Sequence, residues 1–145
     1  MGKECLMGKR DGFTLIEIMI VVMIIAALAA MIVPRLGGRS EQAKRAVAEA
    51  DIVSNIGLGL KLYELDNGNY PTTEQGLKAL VTKPSSSPVP TNWNGPYVER
   101  LRTDPWKNPY QYRCPGTHNT AGYDLFSMGK DGIAGTDDDI TNWEE

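Results

Sequence analysis

Histidine and cysteine are nearly absent from this chain. Its 145 residues contain one histidine, His118, and two cysteines, Cys5 and Cys114. Zinc sites draw on several such ligands gathered in one place, so this count excludes them. Phosphate-binding and nucleophile signatures are missing as well. Gly129-Lys130 is followed by Asp131 rather than serine or threonine, which rules out a Walker A loop. Ser127 sits in Leu125-Phe126-Ser127-Met128-Gly129, which is not a G-x-S-x-G elbow. His118 lies in a loop of glycine, asparagine and threonine, where solvent exposure is its ordinary role. Basic residues are scattered and the C-terminal end is strongly acidic, so no nucleic-acid partner is expected. No internal repeat is evident. These absences point away from an enzyme.

What is present is concentrated near the N-terminus. Gly12-Phe13-Thr14-Leu15-Ile16-Glu17 separates a short charged stretch from an apolar run, and residues 18–33 carry neither a charge nor a hydroxyl. As a helix at ~1.5 Å per residue, residues 13–33 cover roughly 30 Å, the hydrocarbon thickness of a bilayer. One carboxylate, Glu17, stands inside this span. A charge there is costly and marks function with a partner to be found. A secretory signal peptide places its cleavage site after the apolar run. Here the small residue Gly12 precedes it, so cutting after Gly12 leaves the hydrophobic helix on the mature protein.

This order of Gly12, Phe13 and Glu17 resembles the prepilin class of type IV filaments. The resemblance implies cleavage after Gly12 by a prepilin peptidase and methylation of the new Phe13 amine. That amine would be a cation at the tip of an apolar helix, and Glu17, one turn on, shares its face. The carboxylate could pair with the amine of its own chain or of a neighbour in a helix bundle. An unpaired charge in such a core is heavily penalised, so the pair could set the register between subunits.

The predicted organisation is a leader at 1–12, a transmembrane and filament-core helix at 13–33 and one domain at 34–145. The leader holds three cations against two anions, so the mature chain, from a total of −3, nets −4 before its new amine is counted. Processing also removes Cys5, leaving Cys114 alone and without an intramolecular partner. Arg35, Arg39, Lys44 and Arg45 follow the span as closely as the leader charges precede it, so positive residues do not settle orientation.

Beyond the span, Pro34 predicts a kink rather than a stop. Ala43, Val47, Ala50, Val53, Ile56, Leu60 and Tyr63 recur at steps of three and four, one face of a helix. Asn67-Gly68-Asn69 ends it. Thr72 and Gln75, three apart, read as a capping box opening a short helix through Leu77, Leu80 and Val81. Short strands are expected at 97–98, 110–113 and 123–127. Pro71, Pro96, Pro105, Pro109 and Pro115 set loop geometry, and Trp93, Trp106 and Trp143 are expected to pin irregular loops.

The segments NYPTTEQGLKALV, WNGPYV, DPWKNPYQYRCPG, YDLFSMGKDG and DDDITNW resemble the protein G family of type II secretion pseudopilins. The resemblance runs from Gly12 nearly to the C-terminus. It implies an α+β fold, a long N-terminal helix packed on a small antiparallel sheet. It also implies a subunit that polymerises through this helix into a pseudopilus, driving export of folded periplasmic proteins through the outer-membrane secretin. The partners implied are further copies of the chain, minor pseudopilins, the inner-membrane assembly platform, the prepilin peptidase and the inner membrane. The expected location is single-pass in a bacterial inner membrane with the C-terminal domain in the periplasm.

A type IV pilus subunit for adhesion or DNA uptake shares the leader, but its major subunit usually closes a C-terminal disulfide loop that Cys114 alone cannot make. A membrane-anchored calcium receptor that never polymerises is the third reading. A monomeric anchor gains nothing from Glu17.

Calcium enters through the acidic C-terminal end. Asp131 and Asp137 to Asp139 repel one another unless a hard cation or solvent screens them. The spacing is not that of an EF-hand, since glycine falls second from Asp131 and Asn142 twelfth. By resemblance to the pseudopilin calcium loop, Asp131, Asp137 and Asp139 are side-chain ligands and Met128 supplies a carbonyl. The extra Asp138 leaves the register among the three consecutive acids open.

Overall fold

A computed structural model describes residues 12–144, with the side chains of residues 32–37 excepted. Most of the predicted leader, including Cys5, therefore lies outside the described residues, as do the side chains around Pro34. Two compact units divide between Ser40 and Glu41.

In the first unit, α1 begins at Leu15 and is continuous through Pro34; its full extent is Leu15–Ala50. No loop separates the apolar run from residues 34–50. Phe13 and the large apolar side chains from Leu15 to Met31 are exposed in this single chain. Among the described residues no helix is long and apolar enough to cross a membrane, and the described side chains of the run end at Met31.

In the second unit the helix continues as a π turn at Asp51–Ile56 and then as α2, Gly57–Asn67. Its buried stripe is Ala48, Ile52, Ile56, Leu60 and Tyr63. Ile56, Leu60 and Tyr63 are where the periodicity placed them. Ala43, Val47, Ala50 and Val53 are exposed instead, and Ala48 and Ile52 take their place. The reason is the π turn. Gly57 donates its N–H to the Ile52 carbonyl, five residues back, and the widened turn holds an extra residue. Core positions four apart, at 48, 52, 56 and 60, can then stay on one face.

Gly57 makes this turn feasible, because a Cβ there would sit 2.6 Å from the Ile52 oxygen. Gly68 ends α2 in the left-handed conformation (φ 80°), its N–H bonded to the Glu64 carbonyl, the usual exit for a helix.

The stripe packs on Ala79, Leu80, Tyr110, Leu125 and Ile140. Leu125 and Ile140 lie in a three-stranded antiparallel sheet ordered β1-β2-β3, which Tyr110 directly precedes: β1 is Gln111–Arg113, β2 Asp124–Ser127 and β3 Ile140–Thr141. Tyr112 faces Leu125 across one ladder and Ser127 faces Ile140 across the other. The expected strand at 97–98 is not formed. Tyr97 and Val98 instead donate their amides to the Leu80 carbonyl, which closes a loop over a 3-10 turn at Leu77–Leu80.

The capping box is present in full. The Thr72 N–H donates to Gln75 Oε1 at 3.1 Å and the Gln75 N–H to Thr72 Oγ1 at 3.2 Å. It leads into the 3-10 turn rather than an α-helix. The Gln75 amide nitrogen also holds the Ser86 and Pro88 carbonyls, tying down the proline- and serine-rich loop.

The tryptophans pin loops. Trp93 Nε1 donates to the Ala79 carbonyl at 2.9 Å and Trp106 Nε1 to Glu41 at 3.1 Å, while Trp143 stacks on His118. Cys114 is half-buried and has no disulfide partner among the described residues, and burial pushes its thiol pKa up.

Candidate functional site

Two places carry the residues singled out in the sequence. At the helix start, Gly12 and Phe13 are exposed, and among the described residues nothing lies within 4 Å of where a Cβ on Gly12 would be. Thr14 precedes the first helical residue and receives the Glu17 N–H on both its carbonyl (3.1 Å) and its hydroxyl (3.3 Å). Thr14-x-x-Glu17 is thus the spacing of a helix N-cap, a role the sequence reading did not assign. The pattern was there to be found. Glu17 is exposed, and its carboxylate forms no ion pair among the described residues. A negative side chain in a first turn complements the helix dipole.

The acidic loop follows β2. Gly129, Gly132 and Gly135 all have positive φ, and at Gly129 a Cβ would strike the Asp138 carbonyl and carboxylate. Asp138 is the loop's internal staple. Its Oδ2 accepts the amides of Lys130 (2.7 Å) and Asp131 (3.1 Å), and its Oδ1 accepts the Thr136 hydroxyl at 2.6 Å. The Thr136 hydrogen bond, with those amides, holds the Asp138 carboxyl below the usual range. Arg45 adds a bond to the Asp138 carbonyl.

Asp139 differs. Its Oδ2 accepts the Gly135 amide at 2.7 Å, whereas its Oδ1 is buried with no hydrogen-bond partner among the described residues. Native structures rarely leave such an oxygen unpaired unless a water or ion serves it. Asp137 and Asp139 line one cleft of about 660 Å³ together with Asp124, Thr136, His118 and Trp143. Asp131, whose Oδ1 accepts the Ile133 amide, and Met128, directly after β2, do not line it. Among the described residues no group of three His, Cys, Asp or Glu is placed to hold a metal. The structure therefore brings together two of the four expected ligands, and leaves one of them with a free buried oxygen.

The far wall of this cleft is built on Asp124, to which the sequence reading gave no role. Its Oδ2 accepts the Thr117 (2.6 Å) and His118 (2.9 Å) amides, and its Oδ1 the Asn119 amide at 2.8 Å. His118 Nδ1 lies 3.2 Å from the same carboxylate, and its ring stacks on Trp143 with centroids 4.1 Å apart. Burial alone would raise the Asp124 pKa. The three amides and the imidazole outweigh it and hold the carboxyl below its ordinary value. The lone histidine is thus a brace between Asp124 and the C-terminal tryptophan.

Known proteins share both parts of this chain. Residues 35–143 match the family described as Type II secretion system (T2SS), protein G. The chain belongs to that family. Residues 7–33 match the prokaryotic N-terminal methylation motif, a stretch that contains Gly12, Phe13 and Glu17. The chain is 51% identical over 136 residues to the type II secretion system core protein G of Aeromonas hydrophila, covering 93% of each. It is 49% identical to that of Escherichia coli K12 over 93% of this chain and 92% of the relative. The crystal structure of the major pseudopilin from the type 2 secretion system of enterohaemorrhagic Escherichia coli matches with a TM-score of 0.66 and 45% identity. That match covers 73% of this chain and 87% of the other.

Proposed function

We propose that this chain is the major structural subunit of a type II secretion pseudopilus, cut after Gly12, methylated at Phe13 and polymerised through residues 13–33. One observation carries the reading: the exposed apolar run of α1 from Leu15 to Met31 lies within a methylation-motif segment joined to a protein G domain. So much exposed apolar surface needs a cover. A bilayer covers it before assembly and neighbouring helices cover it afterwards. The same helix thus serves as a single-pass anchor in the inner membrane, with residues 34–145 in the periplasm.

Glu17 is the residue that favours the second cover, since its charge is costly in lipid and is neutralised by a Phe13 amine in the bundle. The prepilin peptidase, the inner-membrane platform and minor pseudopilins are the partners this role requires. The work is mechanical, extension of a filament toward the secretin, and the chain performs no catalysis.

Calcium fits the acidic loop as a structural ion. The partnerless Asp139 oxygen and the neighbouring Asp137 offer the hard oxygen ligands calcium takes. Asp131 and the Met128 carbonyl would complete the set once drawn inward, while Asp138 stays committed to the loop amides. When bound, the ion supplies the cross-link that a chain with one mature cysteine cannot make.

The test is imaging of filaments after overexpression with a prepilin peptidase and the assembly platform. Sheared filaments composed of chains beginning at methylated Phe13 are expected. Processed chains that remain monomeric in the presence of the whole apparatus would refute the reading.

A further inference from the structure

Residues 41–47 open the second unit, and none of their side chains is buried; Ala48 is the first that is. Val47, the one large apolar side chain among them, is 53% exposed. Apolar packing therefore does not hold these two helical turns to the domain. Polar contacts do. Trp106 Nε1 donates to the Glu41 carboxylate at 3.1 Å, with Lys44 lying 6.0 Å from the centre of the same indole. Arg45 Nη1 donates to the Asp138 carbonyl at 3.2 Å. Among the described residues no other side-chain hydrogen bond from 41–47 reaches beyond its own helix.

Both contacts lead to the acidic loop. Trp106 stands in a turn whose Asp104 accepts the Ser127 hydroxyl at 2.6 Å and whose Asn108 donates to the Gly129 carbonyl at 3.3 Å, so this turn is fixed to the loop's entry. The Trp106 bond holds the Glu41 carboxyl below its ordinary value, with smaller help from Lys44 and from Lys130 of the same loop. Arg45 meets the loop's exit directly. It does so at the residue between Asp137 and Asp139, which line the cleft, and Asp139 carries the buried oxygen that has no hydrogen-bond partner among the described residues.

A stretch without buried contacts opens locally at small free-energy cost, and opening of 41–47 breaks the Arg45 bond. An ion taken by Asp137 and Asp139 fixes the peptide between them, and with it the carbonyl that Arg45 needs. Helix closure and ion binding then favour each other, and such coupling is reciprocal. We propose that calcium in the acidic loop holds residues 41–47 on the domain through Arg45, and that Arg45 in return strengthens calcium binding. The inference rests on the calcium reading and deepens it, giving the ion a reach beyond its own loop. Coulomb repulsion alone has the opposite sign. Arg45 is a cation beside a cation site, so on charge alone its removal tightens calcium binding, whereas loss of the contact weakens it.

The test uses the full chain in detergent micelles, titrated with calcium chloride in a calorimeter. Arg45→Met, at an exposed position, keeps the length of the side chain but loses its donors. It should bind calcium about two- to fivefold more weakly than wild type, the scale of one exposed charged contact. In hydrogen exchange read by mass spectrometry, saturating calcium should slow the amides of 41–47 by about the same factor in wild type and leave them unchanged in Arg45→Met.

Equal or tighter calcium binding by Arg45→Met overturns this coupling. So does exchange at 41–47 that ignores calcium in a wild-type chain whose binding heat shows the site filled. Either result leaves the calcium reading standing. A wild-type chain with no binding heat and no calcium-dependent shift in melting temperature overturns both.

Discussion

Replacing Asp124 with asparagine tests how the C-terminal region is held. The Asp124 side chain is 5% exposed and accepts the amides of Thr117, His118 and Asn119. Hydrogen bonds to a charged acceptor contribute roughly 1.5–3 kcal/mol each. Asparagine is nearly the same size but keeps one acceptor oxygen. If that oxygen serves Thr117 and His118, the new NH2 group faces the Asn119 N–H, donor against donor. The loss is then one whole bond plus the charge assistance of two others, about 2–3 kcal/mol.

For a domain of this size about 4 °C accompanies each kcal/mol, so Asp124→Asn should melt roughly 8–12 °C lower. Thermal unfolding of the detergent-solubilised chain at pH 7, followed by near-ultraviolet circular dichroism, measures it. The difference should depend on pH in a fixed sense. The folded carboxyl titrates below its unfolded value, so its stabilisation is fully present above about pH 4 and fades as the pH falls through the folded pKa. Wild type and variant should converge there. Gly116→Ala is an independent check, because its Cβ would overlap the Asp124 carboxylate and approach the Asn119 carbonyl to 2.6 Å. An Asp124→Asn chain that melts within about 2 °C of wild type at pH 7, given the ~4 °C per kcal/mol scale, would refute the argument.

Calcium should raise the melting temperature of the wild-type chain, and chelation should reverse the gain; Asp139→Asn should abolish the response, and identical curves with calcium and with chelator would exclude the site. A bulky residue at Gly12 should block processing while Gly12→Ala is partly tolerated, as read by intact mass of membrane-extracted protein. Glu17→Ala makes the span more apolar, so insertion and cleavage should persist while filament yield collapses; normal filaments would refute the pairing of Glu17 with the Phe13 amine. Gly57→Ala should destabilise by about 1–2 kcal/mol despite the better helix propensity of alanine, because its Cβ meets the Ile52 carbonyl at 2.6 Å. A rise in stability on chemical denaturation would show that the π turn relaxes to an α-helix at no cost.

The parts legible in the sequence are those set by neighbours along the chain. An apolar run after a glycine, a Thr72-to-Gln75 capping box, a Gly68 helix exit and an acidic loop rich in glycine each depend on interactions within a few residues. All of these features stand in the structure as local chemistry requires. The α+β class was implied by the resemblance to the protein G family, and local signals put β1 and β2 close to their places. Thr14-x-x-Glu17 is equally local, yet the charge of Glu17 points first to a partner and only second to its own helix end.

What only the tertiary structure decided is which of several locally equivalent residues faces the core. Steps of three and four fit Val53 as well as Ile52 until the π turn is known, and that turn is held by packing of Ile52 and Ile56 on distant residues. Among three consecutive aspartates composition is identical, so nothing local says which carboxylate turns inward. Only the closing of the loop onto Lys130 and Asp131 commits Asp138 inward and leaves an Asp139 oxygen unpaired. Asp124 lies in a family-like segment but was given no role there, because its importance comes from three amides that folding turns toward one carboxylate. Local propensity determined the elements, and long-range packing determined their faces, since a face is defined by what it meets.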